Sequence, residues 1–310
     1  MGVYQHLQGF AGLPVFGFGP DTDPKEETLP AAGDAAWRVA TEYDSVSFAE
    51  VFERFRGAVD TREVSALIVG YWGADYDEHY TDPAPLLVEA AGSFPKLRSL
   101  FYGDITGEES EISWIEHGDI SPLFAAYPDL ERFEVRGSMG LGLDPIKSDA
   151  LKRLRFESGG LPAAIVRAVA SSDLPNLEHL DLWLGTDNYG GDATIADLAP
   201  ILSGERFPSL RHLGLEDSEM QDAVAAAVAG APVVARLESL SLAMGALTNE
   251  GAEALLSGQP LTHLRNLDLH HHYLTDEMME RVRAALPGVN VDLDEQETAD
   301  GEWRYIAVSE

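Results

Sequence analysis

Two groups of side chains in this sequence have the types and spacing to do chemistry. The first is the run His270, His271 and His272, with Asp268 just before it. Imidazole nitrogens and carboxylate oxygens are the donors that zinc and related ions take. Successive residues of an extended chain point to opposite sides, so only His270 shares a side with Asp268, while His272 falls at a turn. Metal ligands normally converge from several elements, and no two histidines stand four apart to share a helix face. The run therefore reads as a strand end followed by a turn-bonding His272, and neither a metal nor a cofactor is expected.

The second group is cationic. Arg132, Arg153, His179 and His212 each hold the third place of a recurring phrase; two places on come Glu134, Arg155, Asp181 and Gly214, and then Arg136, Glu157, Trp183 and Glu216. Like charges side by side are unfavourable unless an anion bridges them. Residues 130–155 hold Arg132, Arg136, Lys147, Lys152, Arg153 and Arg155, a local reversal in a chain of 53 acidic and 21 basic residues with formal charge −32. The other two rows alternate in sign, and their pairs neutralise one another as surface ion pairs worth about 0–1 kcal/mol each. The first row, flanked by Trp183 and by Tyr102 or Phe101, is a candidate surface for an acidic or phosphorylated partner. The competing reading is that its arginines turn toward Glu134 and Glu157 and bind nothing.

Other polar motifs carry less. Ser158-Gly159-Gly160 and Tyr189-Gly190-Gly191-Asp192 match neither a phosphate-binding loop nor a nucleophile elbow and read as tight turns. Glu108, Glu109 and Glu111 read as the charged first turn of a helix carrying Ile112, Trp114 and Ile115.

Residues this far apart in sequence are brought together by a repeat. The phrase Leu-x-x-Leu-x-Leu recurs, as in Leu237, Leu240, Leu242 and Leu264, Leu267, Leu269, and its first position falls at Val64, Leu97, Leu130, Leu151, Leu177, Leu210, Leu237, Leu264 and, more weakly, Leu286. After each phrase the apolar period changes from two to about 3.6, the switch from strand to helix. Helix starts are signalled by Ser218 with Gln221 as a capping box, by Thr248, and by Thr275 with Asp276 and Glu277. The expected fold is α/β: a leucine-rich-repeat solenoid, arc or horseshoe, with a concave parallel sheet and convex helices. Residues 1–62 are expected as an N-terminal cap with strands at Leu13 to Phe18 and Ala36 to Tyr43 and a helix N-capped by Ser47. Residues 63–296 form about eight or nine units, and residues 297–310 a capping strand that shelters Trp303, Tyr305, Ile306 and Val308.

The stretch Leu247-Thr-Asn-Glu-Gly-Ala-Glu-Ala-Leu255 resembles ribonuclease-inhibitor-like repeats. The usual turn Asn or Cys is replaced by Ser138, Gly159, Gly185, Ser218, Gly245 and His272, so the turns must be satisfied differently. Phe10-Ala-Gly-Leu-Pro-Val-Phe16, the segment Gly103 to Ile115, Glu157-Ser-Gly-Gly-Leu161, Leu182-Trp-Leu-Gly-Thr186 and Leu267-Asp-Leu-His-His-His-Tyr273 together resemble an uncharacterised family of bacterial leucine-rich-repeat proteins. That resemblance implies genes near radical-SAM-like and ATP-grasp-like enzymes, hence a role beside a biosynthetic pathway, and no catalytic residues to carry over.

The acidity disfavours nucleic acid and anionic membranes as partners. Absence of cysteine, of a basic apolar leader and of any long apolar run points to a cytoplasmic protein. The expected function is a non-enzymatic protein-interaction scaffold, with binding residues Arg132, Arg136, Arg153, Arg155, His179, Asp181, Trp183, His212, Glu216 and His270. The alternative is a small-molecule-binding or catalytic protein using the same arginine and histidine strip.

Overall fold

The computed structural model describes residues 3–26, 28–73, 81–301 and 303–310. Met1, Gly2 and Glu27 of the expected cap lie outside the described residues. The chain divides into two compact units, Val3–Leu143 and Asp144–Glu310. Both are α/β, with parallel strands in sequence order and a helical connection after most of them.

In the first unit β1 (Gly9–Phe10) and β2 (Leu13–Phe18) form an antiparallel hairpin. β2 then runs parallel to β3 (Ala36–Val39), followed by β4 (Ala66–Val69), β5 (Ser99–Tyr102) and β6 (Arg132–Arg136). The strands expected in a separate cap are thus the first members of the same parallel sheet, because Trp37 pairs in register with Leu67. Helices α1 (Phe48–Ala58), α2 (Pro83–Ala90) and α3 (Ser121–Ala126) complete the unit, with Ser47 accepting the Glu50 N–H as the α1 cap. No α-helix follows Glu108, Glu109 and Glu111, only a 3-10 turn at Ile112–Trp114. Glu109 instead accepts the Thr106 N–H and an Arg38 contact, so its charge serves a local network rather than a helix dipole.

In the second unit β7 (Arg153–Glu157), β8 (His179–Gly185), β9 (His212–Ser218), β10 (Ser239–Ser241), β11 (Asn266–Asp268) and β12 (Asn290–Asp292) are all parallel. They alternate with α4 (Ala163–Ala170), α5 (Ile195–Leu202), α6 (Gln221–Ala229), α7 (Asn249–Ser257) and α8 (Asp276–Ala285). The order is forced by short connections, since adjacent parallel strands need a crossover and a helix supplies it. Leu154, Leu180, Leu213, Leu240 and Leu267 lie side by side in register and are fully buried. Each contributes about 1.5–3 kcal/mol by leaving water. The same register pairs Leu267 with Val291, so the last phrase begins at Gly288 and not at Leu286. The missing leucine at that place hid it.

The turns follow a rule of their own. The residue before Ser218, Gly245 and His272 is left-handed each time: Asp217 at φ 52, Met244 at φ 67 and His271 at φ 54. His272 is buried, with Nε2 against the Leu293 carbonyl and Nδ1 accepting the Leu274 N–H, and so takes the role of the missing asparagine. Gly185 (φ 72) is required for a different reason: a Cβ there would lie 2.1 Å from the Gly159 carbonyl oxygen.

Thr248 and Thr275 cap α7 and α8 as the sequence indicates. The Ser218/Gln221 box does not form. Ser218 ends β9 and accepts the Met220 N–H, while Gln221 is buried and donates to the Leu215 carbonyl. The C-terminal residues form no strand among those described beyond β12: Trp303 and Tyr305 are 71% and 64% exposed, and only Ile306, Ala307 and Val308 are buried. They are held by Ala307 N–H donating to the Met244 carbonyl and Val308 N–H donating to Asp217 Oδ1.

Candidate functional site

Because the leucines fill one side of the strands in each unit, the alternate side chains stand on the other. The two units use that second face differently. In the first, the alternate positions Ala36, Ala66, Ile68 and Phe101 are buried beneath Phe10, with Leu7, Leu13 and Val15 packed around them. Phe10 meets Phe101 edge-on at 5.9 Å. The guanidinium of Arg132 lies 4.4 Å over the Phe10 ring and its Nε donates to Glu134 at 2.7 Å. Arg136 is only 4% exposed; it covers Phe101 and donates to the Ile105 carbonyl at 3.0 Å and to Asp104 at 3.4 Å. Asp104 is fully buried and also receives Arg38 Nε at 2.8 Å. Burial alone pushes its carboxyl up, but the His6 hydrogen bond and the charges of Arg136 and Arg38 outweigh it and hold it below the usual carboxylate range. Arg136 is therefore not displayed for a partner, and Arg132 is engaged by the chain's own Phe10 and Glu134. Tyr102 and Phe101, expected to flank the strip, are core.

In the second unit the same face is open and polar. The register sets Arg153, His179, His212, Ser239, Asn266 and Asn290 in one row and Arg155, Asp181, Gly214, Ser241, Asp268 and Asp292 in the next. Trp183 pairs with Glu216 beyond them. Together they line a groove of about 360 Å³ running from Arg153 and Arg155 to Asp268 and Asp292.

At the groove's centre Asp181 accepts from His179 Nε2 at 2.5 Å and from His212 Nε2 at 2.7 Å. The two imidazoles stack with centroids 3.9 Å apart and planes within 9°. Gly214 makes room for this carboxylate, since a Cβ there would lie 2.3 Å from Asp181 Oδ1. Burial opposes the charge on Asp181, but the two imidazole donors outweigh it and keep the carboxyl far below its ordinary range. Burial also lowers His179, helped by nearby His212 and Arg153 and resisted by Asp181. Arg153 Nη2 lies 2.9 Å from both ring nitrogens of His179. Arg155 contacts Glu157 at 3.2 Å, lies 4.0 Å from Asp181 and covers Trp183 at 5.1 Å, while Trp183 Nε1 donates to Glu216 at 2.8 Å. Burial, with Asp181 close by, raises Glu216.

Of the residues expected to bind, Arg153, Arg155, His179, Asp181, Trp183, His212 and Glu216 are brought together here. Arg132 and Arg136 belong to the first unit. His270 pairs with Asp268 at 2.8 Å beside the acidic end, and that hydrogen bond raises its pKa. Asn290 and Asp292 were not expected in the site; the displaced register of the last phrase concealed them. Gly214 left no signal except its place two residues after His212, in line with Arg155 and Asp181. No helix among the described residues is long and apolar enough to cross a membrane.

No model of a known protein family matches the chain, and no curated protein matches it. A crystal structure of a protein from Bacteroides fragilis, solved as a structural-genomics target, is similar with a TM-score of 0.79 at 31% identity, over 89% of this chain and 78% of that one. Likeness in sequence and fold over that length shows common descent, and the chain belongs to the same family as the Bacteroides fragilis protein.

Proposed function

We propose that the chain is a leucine-rich-repeat solenoid protein acting as a non-enzymatic interaction scaffold, and that the open sheet face of residues 144–310 receives an extended segment of a protein partner. The observation that carries this reading is the groove itself: six strands in register present two rows of polar side chains, while the leucines between them are core. Six strands spaced by about 4.8 Å span about 24 Å, the reach of about seven extended residues. The groove is polarised, with Arg153 and Arg155 at one end and Asp268 and Asp292 at the other. An acidic or phosphorylated side chain fits the arginine end, where a guanidinium bonds an oxyanion in two places. A cysteine-free composition supports a reducing, cytoplasmic setting.

The test is affinity capture of the tagged full chain from its own cell extract, beside the double variant Arg153→Ala, Arg155→Ala. Loss of a specific captured protein from the variant supports the reading. Identical capture by both proteins contradicts it.

A further inference from the structure

We propose that His179, Asp181 and His212 form a binding site for a divalent transition-metal ion of the Zn²⁺ or Fe²⁺ class. One imidazole nitrogen from each of two adjacent strands and a carboxylate from one of them all lie within 4.8 Å of one another. Two histidines and one carboxylate on one side of an ion, with the other positions open, is a donor set that such ions favour.

The geometry of the sheet builds this set. His179 and Asp181 stand two apart on β8 and so share a face, and His212 is the registered neighbour of His179 on β9. Both Nε2 atoms aim at the same carboxylate, at 2.5 and 2.7 Å. With bonds of about 2.0–2.2 Å, tetrahedral ligand atoms sit about 3.3–3.6 Å apart. The two imidazole–carboxylate contacts, at 2.5 and 2.7 Å, therefore need to lengthen by about 0.6–1.1 Å to admit an ion. The His179 and His212 side chains remain 21% and 19% exposed, which leaves a side for water or a donor from a bound partner.

Arg153 opposes the ion most directly, with its Nη2 2.9 Å from both ring nitrogens of His179. Ligation through Nε2 moves the ring proton to Nδ1, and on His179 that atom faces Arg153 Nη2 at 2.9 Å, a donor against a donor. Arg153 must swing away when metal binds, so removing it strengthens binding. The second imidazole–carboxylate group, Asp268, His270 and Asp292, is a weaker candidate: Asp268 and Asp292 each accept a backbone N–H of their own turn, from His270 and Asp294 at 3.0 Å.

The experiment titrates the metal-stripped full chain with ZnCl₂ by calorimetry and with Co²⁺ by visible absorption. The expected result is one ion per chain, affinity reduced at least tenfold in His179→Ala and in His212→Ala, unchanged in His270→Ala, and increased in Arg153→Ala. Circular dichroism confirms folding; should an alanine variant unfold, His179→Asn and His212→Asn, which keep a donor toward Asp181, take its place. No heat and no Co²⁺ bands would overturn the proposal. So would binding that survives the His179 and His212 changes, or that is lost with His270.

Discussion

The two units are built from the same repeated phrase but treat the face opposite their leucines in contrary ways. In residues 3–143 that face carries Ala36, Ala66, Ile68 and Phe101 and is sealed by Phe10 from the β1–β2 hairpin. In residues 144–310 it carries arginines, histidines, aspartates, serines and asparagines and stays open along a groove. The register needs only the leucine positions. The intervening positions are free to become a second small core or a recognition surface, and their residue types decide which.

Removing the seal should have the largest effect. Phe10→Ala deletes a ring that is 2% exposed and packed on Phe101 and under Arg132, at a cost of about 3–5 kcal/mol. Hydrogen exchange followed by mass spectrometry should show lost protection in β4 and β5, with β8 to β10 unchanged; equal loss in both units would show that the hairpin is no local lid.

The next effect is a pH dependence built into the first unit. His117 in the first unit is buried with Nε2 against the Arg136 carbonyl, and burial lowers its pKa to about 4 from an ordinary value of 6.5. The ring is neutral in the fold, so the unfolded chain binds the extra proton between those values. Its stabilisation is complete above pH 6.5 and is lost as pH falls toward 4, by about 3 kcal/mol at 1.36 kcal/mol per unit. Urea midpoints between pH 7 and 4 should fall accordingly, and His117→Gln should flatten the slope. Asp104 and Asp181, whose pKa values are lowered, act in the next window down: their stabilisation is present above about pH 4 and fades as pH drops below it.

The smallest effect sharpens the description of the open face. Gly214→Ala forces Asp181 away from His212 and should cost about 1–3 kcal/mol by overpacking. The His179 and His212 imidazole resonances should move in NMR spectra while the Phe10 and Phe101 resonances stay still.

Much of this architecture was legible because leucine spacing is a strong periodic signal. It placed the strands β4 to β11 behind their phrases, while N-cap residues marked the helix behind Ser47 and the starts at Thr248 and Thr275, and an extended apolar piece marked β2 over Leu13 to Phe18. It failed where the signal was a single residue. Gly288 stands where a leucine would have set the last phrase, and that shifted Asn290 and Asp292 out of view. Ser218 and Gln221 have capping-box chemistry, but a left-handed Asp217 turns the chain first and buries Gln221. The covered face was visible in principle, since Ala66, Ile68 and Phe101 are poor choices for a wet surface. What no local pattern encoded was that Phe10, far away in the chain, would cover them. At the open face, spacing aligned His179 with His212, but not the carboxylate of Asp181 between their ring nitrogens.

The opposite use of the second face in the two units is read out by thiol labelling, because the chain contains no cysteine. Ala66→Cys and Ser239→Cys are small changes at the same place of the repeat, one beneath Phe10 and one on the groove. At pH 8 in native buffer, the Ser239→Cys protein should react with a maleimide in minutes and the Ala66→Cys protein only as the first unit opens, orders of magnitude more slowly. Equal rates at the two positions would contradict the account.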